Sequence, residues 1–100
     1  MLDEVEVLKA LAHPVRLGIV RRLAREPDTC ACDFTDYFDV AQPTISAHLK
    51  VLRSAGVVTT RREGTTICYS LVPTAVELVA GIFEAVLADV RADKPVPNHT

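Results

Sequence analysis

Three cysteines and a cluster of cations are the residues of this sequence best suited to chemistry. Cys30 and Cys32 stand two apart in Thr29-Cys30-Ala31-Cys32, and Cys68 follows far along the chain. Side chains alternate along an extended backbone, so an extended connector turns both thiols of the Cys-Ala-Cys pair to one side. Thiolates are soft ligands, and trivalent arsenic or antimony takes three of them in a pyramid, so the pair alone is an incomplete site for such an ion. An odd number of cysteines, in a chain long enough to build a core, speaks against a disulfide framework. Free cysteine is also among the most buried residue types, which makes a plain core role the alternative for Cys68. A cysteine nucleophile needs a base, and His13, His48 and His99 fall at a helix junction, in a DNA-reading helix and in the tail. No enzyme is therefore expected.

The cations are unevenly placed. Residues 41–64 hold Lys50, Arg53, Arg61 and Arg62 against the single acid Glu63, a net +3, while the rest of the chain carries −5. Phosphate contacts supply much of the affinity for DNA, so this stretch is the candidate interface. With an overall charge of −2, the body repels a polyanion, which favours a specific duplex site over general coating. The 100 residues, 49% hydrophobic and 24% charged, fit one globular domain and exclude disorder. No run approaches the ~20 apolar residues of a membrane helix. The acidic opening Met1-Leu2-Asp3-Glu4 is unlike a targeting peptide, so a cytoplasmic protein without a membrane partner is expected.

Several elements must position these groups. Leu2, Val5, Leu8 and Leu11 or Ala12 recur at helical spacing until His13-Pro14 ends the segment. Pro14 then opens a second helix to about Arg25, with Val15, Leu17, Ile19, Val20 and Leu23 on its core face. Glu26-Pro27-Asp28 stops it, and residues 29–32 form a connector or brief strand. A short helix is predicted over residues 33–38 with Phe34, Tyr37 and Phe38 inward. After a turn at residues 39–41, Pro43 marks a further helix starting at Gln42 or Thr44, with Ile45, Leu49 and Leu52 on one face and Gly56 as its cap. Residues 57–60 and 65–71 read as a hairpin with a basic tip at Arg61-Arg62-Glu63-Gly64. The last helix, residues 74–92, carries Val76, Val79, Phe83, Val86 and Val90, widened by Leu78, Ile82 and Leu87. That face is broader than a small domain buries alone. Residues 93–100 read as a flexible tail beyond a single domain over 1–92.

Two short helices joined by a tight turn and followed by a hairpin make a winged helix-turn-helix, a mainly α (α+β) fold. Its second helix enters a major groove, where Gln42 can pair with adenine and Thr44 or Ser46 can bond bases or phosphates. His48 is either a DNA contact or a hydrogen-bonded structural residue. The candidate DNA-binding set is Gln42, Thr44, Ser46, Ala47, His48, Lys50, Arg53, Arg61 and Arg62. A protein-interaction module is the bland alternative.

Leu11-Ala12-His13-Pro14-Val15-Arg16-Leu17 and the run from Gln42 through Ala47 to Val58 closely resemble the ArsR/SmtB family of bacterial metal-responsive repressors. The resemblance implies a homodimer paired through long first and last helices, which leaves its operator DNA when an inducer binds. Thr29-Cys30-Ala31-Cys32-Asp33-Phe34 looks like the Cys-Val-Cys-Asp-Leu element by which arsenic- and cadmium-responsive members hold a soft ion. Thr35 stands where arsenic sensors often add a third cysteine, and no cysteine precedes Cys30 as in cadmium and lead sensors. Glu77, Glu84 and Asp89 lack the helix histidine that nickel, cobalt and zinc sites need.

In winged-helix folds the connector pairs with the returning wing strand, which here bears Cys68. Cys30, Cys32 and Cys68 within one subunit are thus the expected metal site. An intersubunit site, or two sulfurs completed by water or an exogenous thiol, is the alternative. No constitutive cofactor is expected; As(III) or Sb(III) is the expected inducer, with Cd(II) or Pb(II), or a disulfide redox switch, as alternatives. Thiols must lose protons to bind a metal, which predicts a weaker response in acid. Coupling between ligand and DNA is typically ~1–3 kcal/mol.

Overall fold

The computed structural model describes residues 2–92, with Asp36 described by its backbone alone. The tail expected over 93–100 lies outside the described residues. Helix α1, Glu4–Leu11, starts on Asp3, whose carboxylate accepts the N–H groups of Val5 and Glu6 that a helix start leaves open. It runs for eight residues, shorter than the long N-terminal element expected, because the ring of Pro14 blocks its continuation. Helix α2, Pro14–Arg25, takes that proline into its first turn, and His13 caps it, Nδ1 accepting the Val15 N–H at 3.1 Å.

Asp28, at φ +64°, turns the chain into strand β1, Thr29–Cys30. Helix α3, Ala31–Tyr37, follows at once, and α4, Gln42–Ser54, holds Pro43 in its first turn. Gly56, at φ +82°, takes the left-handed conformation that ends α4. Strands β2, Val58–Glu63, and β3, Thr66–Leu71, form the wing, and β1 joins the free edge of β3 to give an antiparallel sheet in the order β1-β3-β2. The wing tip is Gly64-Thr65, not the four residues from Arg61 expected from sequence. Pairing continues to Glu63 opposite Thr66, and Gly64 at φ +64° supplies a two-residue turn. Arg61 and Arg62 therefore lie within β2. Helix α5, Pro73–Arg91, completes the described chain.

Val7 and Ala10 of α1, Ile19 and Leu23 of α2, Phe34 of α3, and Ile45, Leu49 and Leu52 of α4 meet in the core with Val57 and Val58. Gly18 lets α2 approach the end of α3 closely, since a Cβ there would sit 2.6 Å from the Phe38 ring. Tyr37 was expected inward and is instead 47% exposed. Phe34 and Phe38, four apart, take the core side, so the Tyr37 ring lies against the Arg22 guanidinium at 4.6 Å and its hydroxyl accepts from Arg25 at 2.9 Å. Helix α5 buries Ala75 but leaves Val76, Phe83, Val86, Leu87 and Val90 exposed. Among the described residues no helix is long and apolar enough to cross a membrane.

Candidate functional site

The sheet brings two of the three thiols together. Cys30 and Cys68 face each other in the β1–β3 pairing, and their Sγ atoms are 3.0 Å apart. Cys68 is buried and Cys30 half-buried. The hydrogen bond with Cys68, then burial, then the nearby Cys68, Asp33 and Cys32 charges raise the Cys30 pKa to about 11. At neutral pH this thiol keeps its proton. Cys32 is exposed, and its Sγ donates a long hydrogen bond to the Asp33 carboxylate at 4.0 Å.

The alternation that would align Cys30 with Cys32 is absent, because α3 begins at Ala31 and puts Cys32 in a helical first turn. Among the described residues no three His, Cys, Asp or Glu side chains are gathered closely enough to hold a metal ion. Cys32 instead opens, with Gln42, Ser46 and Thr66, onto a cleft of about 330 Å³ between α3, α4 and the wing. A ligand at Cys32 is thus next to side chains on the helix expected to read bases.

On α4, Ile45, Leu49 and Leu52 are fully buried while Gln42, Thr44, Ser46, Ala47, Lys50 and Arg53 are exposed. The side of α4 turned away from the core is thus largely polar and carries the cations Lys50 and Arg53, available to a groove. Arg62 is exposed on β2. Arg61 is engaged: it donates to Asp28 at 3.2 and 2.5 Å and pairs with Glu63 at 2.9 Å. The same hydrogen bond, followed by the arginine's charge, lowers the Asp28 pKa. The sequence marks Asp28 only as part of a helix stop, because the arginine it pairs with is 33 positions away and only the β1–β3–β2 order brings them together.

His48 is half-buried, its ring 4.4 Å from that of His13 at the start of α2. Burial, then the His13 and Arg16 charges, lower its pKa below the ordinary 6.5. The native protein therefore refuses a proton that the unfolded chain accepts. The stability this adds is complete above pH ~6.5 and is lost as pH falls through the folded value. Denaturant midpoints measured from neutral pH into acid are expected to fall, and His48→Gln is expected to flatten that limb. An unchanged limb in the variant would assign it to other groups.

Residues 13–60 match the family described as bacterial regulatory protein, arsR family. The HTH-type transcriptional repressor SmtB of Mycobacterium tuberculosis is 48% identical over 66 residues, 66% of this chain and 48% of that protein. This chain thus spans about half the length of that relative. The arsenical resistance operon repressor of Escherichia coli is 39% identical over 69 residues, 69% of this chain and 59% of the relative. Among solved structures, the transcriptional repressor BigR from Xylella fastidiosa superposes with a TM-score of 0.65 at 36% identity, covering 81% of this chain and 83% of that one.

Proposed function

Because the chain belongs to the ArsR family of bacterial regulatory proteins, a family of DNA-binding regulators rather than enzymes, we propose that it is a cytoplasmic, homodimeric transcriptional repressor released from its operator by trivalent arsenic or antimony. The observation that carries this reading is the 3.0 Å approach of Cys30 to Cys68. One sulfur precedes α3 and the other lies on the wing. A soft ion bound by both, with Cys32 brought in by a rearrangement of the first turn of α3, ties the two parts of the DNA-reading unit together. The names of arsenical repressors among the relatives support the choice of inducer.

The raised Cys30 pKa separates the candidate inducers. Arsenous acid brings three hydroxyl groups, and each leaves as water with one thiol proton while a sulfur takes its place. No net proton is released. A divalent cation such as Cd(II) must expel those protons into solvent, which is harder from a thiol held at about 11. The acid-weakened response expected for a metal thus applies to Cd(II) and Pb(II), not to arsenous acid.

The test is to titrate reduced protein, bound to duplex from its own promoter, with arsenite, antimonite, cadmium and zinc. Arsenite and antimonite are expected to dissociate it at near-stoichiometric ratios. Release by cadmium alone would replace this inducer; failure of all four to act would remove the metalloid mechanism.

The same 3.0 Å separation favours one second reading, a redox switch. Two thiols and a peroxide yield a disulfide and water, with the sulfurs closing to ~2.05 Å. A thiol protonated at neutral pH reacts slowly in that step, since the thiolate is the nucleophile. Release by peroxide but never by arsenite under reducing conditions would select it.

A further inference from the structure

Resting on the DNA-binding reading, we infer that the groove between α1 and α4 holds a backbone phosphate of the bound duplex, gripped by Lys9, Arg16 and Lys50. The groove measures about 710 Å³, and its lining holds these three cations and one acid, Glu6, beside Ala47 and Ser54 of the recognition helix. Among the described residues none of the three cations has a carboxylate partner, whereas Arg22 and Arg61 both do. The Arg16 Nε, like that of Arg22, is buried without a hydrogen-bond partner, but Arg22 has Glu26 for its terminal nitrogen and Arg16 has no carboxylate among the described residues. A buried, unmatched guanidinium nitrogen is costly unless an anion completes it.

Position identifies the anion. One flank of α4, with Gln42 and Ser46, faces the cleft beside the wing, and the other, with Ala47 and Lys50, faces this groove. A helix in a major groove ~12 Å wide lies between two rails of phosphates. The wing stands beside the first rail, and the α1–α2 corner stands beside the second. The wing is also the weaker grip, because Asp28 and Glu63 already engage Arg61. Cations outside the helix-turn-helix stretch therefore supply part of the electrostatic attachment, in a chain whose net charge is −2.

The experiment measures binding of the full chain to promoter duplex and to an unrelated duplex of equal length, by fluorescence anisotropy, from about 50 to 200 mM salt. Lys9→Gln and Arg16→Gln are each expected to weaken both duplexes by a similar factor, several-fold at the low-salt end, and to reduce the slope of log K against log salt by about one. Glu6→Gln is expected to strengthen both. Lys9 is exposed, so its variant keeps the test valid if Arg16→Gln melts early. Unchanged slopes in the folded variants overturn the inference, as does a loss confined to the promoter duplex. A parallel arm exchanges chloride for inorganic phosphate at equal ionic strength. Specific inhibition of the wild type that Arg16→Gln abolishes would make this a free-phosphate site and overturn the DNA assignment. Failure of the wild type to bind its promoter defeats the repressor reading itself, an outcome distinct from unchanged slopes in a protein that binds.

Discussion

Cys30→Ser and Cys68→Ser are each expected to leave operator affinity within about twofold of the parent while cutting arsenite-induced release by ~10-fold or more, the scale of a coupling free energy of 1–3 kcal/mol. The two residues face each other across the β1–β3 pairing with their sulfurs in contact. A serine in either place keeps the backbone ladder and removes a soft donor. Cys32→Ser is expected to have the smaller effect if water or a free thiol can serve as third ligand, and an equal effect if its own sulfur closes the pyramid. Anisotropy titrations of arsenite against DNA-bound protein, in excess reductant, read all three. Undiminished release from Cys68→Ser would place the inducer elsewhere and reduce the Cys30–Cys68 contact to strand packing.

That contact is also the clearest case of structure legible in sequence. The connector's pairing with the wing is what the winged-helix arrangement leads one to expect, and the structure adds the register, Cys30 opposite Cys68. Prolines did similar service: Pro14 and Pro43 sit in the first turns of α2 and α4, where a missing N–H costs nothing. The side of Cys32 was not legible. Helix α3 starts on Cys30 as N-cap, without a side-chain cap hydrogen bond, so the usual Ser, Thr, Asp or Asn marker is missing. The two-residue error in its start turned an expected strand neighbour into a helical one. Arg61 failed for another reason. Its charge and place in the chain suggested phosphate, but Asp28 reaches it through the sheet, and no local spacing reports a partner that far away. The pairing of His48 with His13 likewise depends on how α2 crosses α4.

Phe83→Glu is expected to turn the proposed dimer into a monomer and to reduce operator affinity by ~10²–10⁴, the avidity that two linked reading heads gain over one. Helix α5 presents Val76, Phe83, Val86, Leu87 and Val90 at helical spacing, with Phe83 56% and Val90 74% exposed. On α1, Val5 is 57% exposed, and α1 packs against α5. Single exposed apolar residues are ordinary, but a contiguous stripe of this kind marks an association surface. A charge at Phe83 would have to be buried unpaired in such an interface, whereas in a monomer it meets only water. Phe83 lies outside the core formed by α1 to α4 and the wing, so the variant is expected to keep its melting temperature at high dilution. Sedimentation gives the oligomeric state and anisotropy the affinity. A monomeric wild type, or a Phe83→Glu variant that stays dimeric with full operator affinity, would move the two-fold axis away from this helix. Without that axis the spacing of recognition helices, at ~34 Å for adjacent half-sites, would need another origin.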